Sequence, residues 1–292
     1  MSAPVMLMHL ILERLSHRVL PRVPEAELVM TDLSRNAAFA EAGCEEGILT
    51  SIHFYHALQI APVIQPGDRV LDLACGPANQ LAQVARLNPH AHFIGMDASA
   101  SMLDSARDTL LRNGIGNVEL MPGDMTQMPE IEDASVDCAI CTMSLHHLPD
   151  RAALSNVLRE TRRVLKPGGG FYFVDFGRFK RTSTQRFFSE DRRDRQSALF
   201  TQDYFNSMRA AFSMEELSSA AAVLGPEVVW HATPLAPFMV VFKSIDRCKL
   251  DAEMRRLAQE LYSRMTAVQQ RDFQVFSRWF RAGGYDLPFA LT

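Results

Sequence analysis

The sequence lacks a bilayer-spanning run. The apolar stretch at its N-terminus, "MSAPVMLMHLILERLSHRVL", is too short to cross a membrane. No basic residues precede it and no small-residue cleavage site follows, so it does not read as a targeting signal. What is left is an amphipathic helix with Leu7, Ile11, Leu15 and Val19 on one face, in a protein expected to be cytoplasmic. Positive charge is not in surplus either. Lys and Arg number 30 against 34 Asp and Glu, and the net charge of −4 is spread along the chain. That argues against a nucleic-acid partner, which needs a broad basic footprint. Cysteine is scarce: Cys44, Cys75, Cys138, Cys141 and Cys248 are an odd, scattered set. They read as free thiols rather than a disulfide framework. Cys138 and Cys141 have C-x-x-C spacing, but they fall in a strand-like run and so point to opposite faces. No metal site is expected there or elsewhere. Internal repeats and low-complexity tracts are absent.

What the 292 residues do contain is room for one large α/β domain with extensions. Residues 1–65 read as a helical arm, broken at "LPRVPE" by two prolines. In the middle, short apolar runs alternate with helical patterns: "RVLDLA", "HFIGMD", "NVELMPGD", "VDCAICTM" and "FYFVDF", with helices between them. That alternation predicts a parallel sheet with helices on both faces. It breaks over 178–212, a stretch rich in arginine and phenylalanine that reads as an insertion on the substrate side. "SMEELSSAAAVLG" opens with a capping box, Ser213 to Glu216. "PEVVWHATP" and "FMVVFKS" can pair as strands. The core then runs over 66–244. The remainder, 245–292, reads as one helix over Ile245 to Ala282, its stripe running Leu250, Met254, Leu257, Leu261, Met265, Val268.

The first strand ends in a small-residue turn, "DLACGPANQ". In open α/β sheets ligands bind beyond the carboxyl ends of the strands, and such a turn lets backbone approach them. Asp97 ends the second strand about 20 residues on, where an acid is placed to grip ribose hydroxyls. Together these describe a binder of an adenosyl group. Yet the fingerprint G-x-G-x-x-G is missing, and no G-K-[ST] follows a strand. The turn therefore suits a ligand without phosphates.

In order and spacing, "VLDLACGPANQ", "GMDAS", "PGDMTQMP", "DCAICTMSLHHLPD" and "VLKPGGGFYFVDF" resemble the Rossmann-like (class I) S-adenosylmethionine-dependent methyltransferases. The likeness spans roughly Gly67 to Ser244. It implies a seven-stranded, mostly parallel sheet whose last strand is antiparallel, with S-adenosylmethionine as cofactor and S-adenosylhomocysteine as product. By the same resemblance, Asp72 and Gly76, with Ala74 beside them, line the site of the methionine part. Asp97, followed by Ala98, takes the ribose. Asp124 accepts from the adenine amino group, Met125 contacts the ring, and Thr142 and Met143 lie near the sulfonium. Tyr55 is a candidate for the methionine carboxylate. The chain departs from the family in having Ala74 and Ala78 where glycines are common.

A sulfonium methyl is already activated, so the enzyme mainly supplies alignment and a dry pocket. A hydroxyl acceptor must also lose a proton, a task suited to histidine. His146 and His147 follow the fourth strand and Asp175 ends the fifth, so the three are candidates to converge as a base and its partner. The segment resembles the "SLHH" of natural-product O-methyltransferases. Arg178, Phe188 and Tyr204 are candidates to bind a small-molecule acceptor, aromatic or anionic. The terminal helices are candidates for a lid or a homodimer contact. The leading expectation is O-methylation of a small molecule in a biosynthetic pathway. RNA methylation, C- or N-methylation of a small aromatic acceptor, and a non-catalytic cofactor-binding subunit stand as alternatives.

Overall fold

A computed structural model describes residues 3–26 and 32–291. Helices α1 (Ala3–Leu15), α2 (Leu33–Gly43) and α3 (Thr50–Ile60) precede the sheet. Strand and helix then alternate through β1 (Arg69–Leu73), α4 (Asn79–Leu87), β2 (His92–Asp97), α5 (Ala100–Arg112), β3 (Val118–Pro122), β4 (Val136–Thr142), α6 (Arg151–Val164) and β5 (Leu165–Asp175). Two helices, α7 (Thr182–Glu190) and α8 (Ala198–Ala210), fill the arginine- and phenylalanine-rich segment. After them come α9 (Met214–Ala221), β6 (Val229–Ala232), β7 (Val240–Lys243), α10 (Ala252–Arg264) and α11 (Ala267–Ala282).

The seven strands form one sheet in the order β3-β2-β1-β4-β5-β7-β6. Neighbours from β3 through β5 are parallel, while β7 runs antiparallel to both β5 and β6. Strands buried on both faces need continuous apolar runs rather than alternation, and β1 and β4 show it: all of Val70–Leu73 and Cys138–Cys141 is buried. Alternate residues feed two cores. Val70, Cys138, Ile140 and Tyr172 pack with Phe54 and Leu58 of α3 and Leu81 of α4. Leu71, Ala139, Cys141 and Phe173 pack on the other face with Leu154, Val157 and Leu158 of α6. The two thiols of the C-x-x-C therefore lie on opposite sides of the sheet.

Two expectations need correction. The C-terminal segment is two helices, not one. Met265 is extended, and Thr266 opens α11 with a capping box, its side chain accepting from the Gln269 amide while the Gln269 carbonyl group accepts from the Thr266 amide. A local cap thus outweighs the continuous apolar stripe, and Val268 is exposed. On α1 the face that packs holds Leu10 and Glu13, whereas Leu7, Ile11 and Leu15 are exposed and Val19 lies beyond the helix. Both faces are apolar, so spacing alone could not choose between them.

The turn after β1 puts Ala74, Gly76 and Ala78 in the left-handed region, at φ 56°, 55° and 58°. For an alanine this costs about 1–2 kcal/mol, against about 0.5–1 kcal/mol of extra unfolded-chain entropy for a glycine. Ala74→Gly should therefore leave the unfolding free energy unchanged or raise it by up to about 1.5 kcal/mol. Ala74→Val, branched where φ is positive, should lower it by about 1 kcal/mol or more. Denaturant titration of the two variants checks both.

Candidate active site

A cavity of about 510 Å³ opens where β1, β2 and β4 end. This is the switch point of the strand order, since β1 has β2 on one side and β4 on the other. The turn after β1 contributes Asp72, Ala74, Cys75 and Gly76. The end of β2 contributes Asp97 and Ala98. Asp124 and Met125 come from the loop after β3, and Thr142 and Met143 from the end of β4. The cofactor positions expected in these loops all line one cavity.

Asp97 ties the first two loops together. Its Oδ2 accepts from the Gly76 amide and its Oδ1 from the Ser99 amide, each at 2.8 Å. Ser99 in turn caps α5. Burial raises the Asp97 carboxyl above its ordinary value, partly offset by these amides. Each oxygen keeps a lone pair, so a diol can still be accepted. Asp124, exposed, accepts from the Thr126 amide at 2.8 Å in a turn of its own. Met143 has φ +55° and donates its amide to the Val174 carbonyl at 2.8 Å. A left-handed methionine is uncommon and is held here by β5 at the cavity wall.

Three buried polar atoms in the cavity wall have no partner among the described residues: Oδ1 of Asp72, Nε2 of Gln80 and Nδ1 of His53. Such atoms are costly unless something completes them. Burial, with Asp97 nearby, pushes the Asp72 carboxyl well up, and burial pushes His53 down to about 4. An acceptor for an ammonium, an amide donor and a ring nitrogen able to donate to a carboxylate together match an α-amino acid end. The residues present thus fit the methionine part of S-adenosylmethionine. Gln80 carries no signal in the sequence, and His53, on a helix that could cover the cofactor, reads there as packing. A glutamine in a helix's first turn looks solvated, and a histidine on an apolar helix looks like packing.

Beside this region stand two imidazole–carboxylate pairs. His146 and His147 form a 3₁₀ turn, Leu145–His147, directly after β4. His146 donates from Nδ1 to Asp175 Oδ1 at 2.7 Å and from its amide to Oδ2 at 2.9 Å. Burial would push this imidazole down, but the Asp175 charge and hydrogen bond, with Glu25 further off, leave it raised. His146 does not reach the cavity wall; His147 does. Nδ1 of His147 lies 2.9 Å from Oε2 of Glu25, 122 residues away, and Ser207 Oγ donates to the other Glu25 oxygen at 2.8 Å. Burial works against the Glu25 charge, yet His147, His146 and Ser207 hold its carboxyl down at about 2.

Four expected residues lie elsewhere. Tyr55 is fully buried, its ring stacked on Phe280 and edge-on to Phe276, and it touches no part of the cavity. Arg178 is paired with Glu216 at 3.0 Å beside α9, in a separate hollow. Phe188 packs among Phe179, Phe238 and Trp279. Tyr204 packs against Phe176 and Phe200. Tyr55 thus fastens α3 to α11, while the other three hold the 178–212 segment to its surroundings.

The sheet order, with its cavity at the switch point, is that of the Rossmann-like class I methyltransferase fold. Residues 70–169 match a family model described as a methyltransferase domain. Over 106 residues, 36% of this chain and 29% of the other, the sequence is 40% identical to an uncharacterized 37.1 kDa protein in transposon Tn4556 of Streptomyces fradiae. Over 113 residues, 38% of this chain and 46% of the other, it is 36% identical to demethylmenaquinone methyltransferase of Listeria monocytogenes. The chain thus spans less than half the length of these relatives. Among solved structures, a SAM-dependent methyltransferase of Aquifex aeolicus superposes with a TM-score of 0.53 at 17% identity, over 73% of this chain and 97% of that one. An O-methyltransferase family protein of Burkholderia thailandensis superposes at 0.51 and 18% identity, over 71% and 58%. At such identities the likeness is one of fold. Among the described residues no helix is long and apolar enough to cross a membrane.

The Glu25 pairing has a pH signature. With its carboxyl near 2 when folded and 4.5 as its ordinary value, the stability it gives is whole above about pH 5 and fades as pH falls toward 2. Glu25→Gln should cost about 1–3 kcal/mol at pH 7, and the gap from the parent should close on acidification. Urea titrations at several pH values read both.

Proposed function

We propose that the chain catalyses methyl transfer from S-adenosylmethionine to a hydroxyl of a small-molecule acceptor. One observation carries the reading: unpartnered Asp72, Gln80 and His53 share a cavity with Asp97, while a carboxylate-bound imidazole, His147, stands in its wall. When bound, S-adenosylmethionine supplies a methyl group on a sulfonium, open to in-line displacement by an acceptor oxygen. Asp72 would hold the ammonium, and Gln80 with His53 the carboxylate. Asp97 would hold the ribose hydroxyls through a pair of charge-assisted bonds. The strand-end residues Thr142 and Met143 would wall the methyl-bearing sulfur from water, which favours the displacement.

The acceptor hydroxyl must shed a proton as its oxygen bonds to the methyl carbon. His147, the member of the histidine cluster that reaches the cavity, is the residue to receive it. The demethylmenaquinone methyltransferases among the relatives are named for a small organic acceptor, which supports the same class here. The expected arginine contacts to an anionic acceptor find no support, because Arg178 is paired away from the cavity.

Calorimetric titration of S-adenosylmethionine, S-adenosylhomocysteine and NAD into the parent and Asp97→Ala tests the reading. Both sulfur ligands should bind and NAD should not. Loss of two charge-assisted bonds in the variant should weaken binding about 100-fold. Failure of the sulfur ligands to bind folded, ligand-free protein would overturn the proposal. A second outcome follows from Asp72. Its raised carboxyl should ionise when an ammonium docks, so binding should release protons, seen as a dependence of the heat on the buffer's ionisation enthalpy. Asp72→Asn should abolish that release.

A further inference from the structure

We infer that the segment 16–26 is a strap that completes the catalytic site, and that Glu25 on it is a positioning residue for His147. Its carboxylate takes Nδ1–H of His147 and leaves the Nε2 lone pair for the acceptor's proton. This rests on the reading of His147 given above; no part of the cofactor cavity comes from the strap.

The strap has no regular structure, and Arg22 makes most of its side-chain bonds to the histidine turn. Arg22 donates from Nε to the Ala210 carbonyl at 2.6 Å, from Nη1 to that of Pro149 at 2.6 Å, and from Nη2 to that of His146 at 2.9 Å, with a further bond to Leu148. Its guanidinium lies 4.0 Å over the Phe212 ring. Three of these carbonyls belong to the turn that carries the histidines or to the residues just after it. The fork of an arginine can hold several acceptors at once, and here it locks the strap to the histidine turn. The Val23 amide adds a bond to Arg209 at 3.0 Å, and Pro21 and Pro24 flank these contacts and limit the freedom lost on ordering.

Three residues beyond Arg22, Glu25 is set with one oxygen on Ser207 and the other on His147. Its side chain is 6% exposed against 27% for His147. A carboxylate held down near 2 stays ionised at every working pH and only accepts. Neutral His147 must then carry its proton on Nδ1, which defines the tautomer and the free atom. Other charged groups also face this ring. His146, backed by Asp175, lies tilted against it at 4.3 Å between centroids. Asp97 feels the His147 charge across the cavity, and Arg22 sits behind the turn. Of these only Glu25 contacts a ring nitrogen of His147. The same three side chains, Glu25, His146 and His147, bring one ligand atom each within 4.8 Å of one another, so a divalent cation is the competing occupant of the cluster.

Nitrogen-15 NMR of the histidine rings in the full chain separates these cases without an identified acceptor. Neutral His147 should show the Nδ1–H pattern. In Glu25→Gln the Nδ1–H tautomer should lose its excess over Nε2–H, since an amide can donate as well as accept where the carboxylate only accepts, and Glu25→Asp should regain part of it. Affinity for S-adenosylmethionine, measured on the same samples, should stay within about twofold, because one unit of lost charge near His147 leaves the cofactor's own contacts intact. An Nε2–H pattern in the parent, or a tautomer balance unchanged in Glu25→Gln, would overturn the inference. So would stoichiometric Zn²⁺ binding to the parent that shifts the His147 ring nitrogen resonances and is lost in Glu25→Gln, which would make the cluster a cation site. If S-adenosylmethionine fails to bind while the Nδ1–H pattern holds, the functional reading fails and the positioning role stands.

Discussion

The site depends on a constraint of the sheet. β1 pairs in parallel with β2 on one side and β4 on the other, with Leu73 opposite Met96 and Cys141. The three strands therefore stop at the same level, and the loops that follow turn away to opposite faces. The gap between them is the cavity. Everything chemical in the molecule is placed by that coincidence of ends: Asp72 one residue before the end of β1, Asp97 at the end of β2, Thr142 at the end of β4. Parallel pairing with β5 then puts Asp175 beside the histidine turn. Because strand pairing is cooperative and both faces are packed, a one-residue slip would turn each of these side chains to the wrong layer.

Around that frame the charges are managed in two ways. On the cofactor side, Asp72 has an oxygen without a partner among the described residues, and Asp97 accepts from the Gly76 and Ser99 amides. Buried acids of this kind are costly to the free protein, and their partner is expected from outside. On the other side, every imidazole of the pair has its own carboxylate, and the carboxylates have further donors. Asp175 also accepts from the Phe176 amide, and Glu25 from Ser207. One region is built to be completed by a ligand, the other to keep its own protons in order.

How far the sequence alone discloses this follows from distance along the chain. The alternation of strands and helices gives the sheet, because each element's pattern is local. Asp97 is legible because it ends the second strand, and strand ends are where ligands sit; Asp72, Asp124 and Thr142 are candidates through the family resemblance of the motifs that hold them. The rest depends on contacts no local pattern encodes. Glu25 lies in a coil without periodicity and meets His147 only through tertiary packing. Gln80 and His53 look ordinary until burial strips them of partners. Tyr55, Phe188 and Tyr204 mislead in the opposite direction, since a large aromatic side chain near a site reads equally as a ligand contact or as core. The alternation of arginine with aromatics over 178–212 is a helical fastening, with Arg186 lying over the Phe205 ring.

The sheet also carries a record of its own integrity. Cys138 and Cys141 sit on opposite faces, fully buried, and burial pushes both thiols up. A thiol in that state is a poor nucleophile. Neither can be oxidised or alkylated while β4 stays paired on both sides, so the two together sample both cores. Their alkylation would count excursions in which the central strand comes free, leaving local fraying of the terminal helices silent. A molecule whose working surface is assembled from four strand ends and a distant strap thus carries, in its central strand, a clock for the opening of the whole domain.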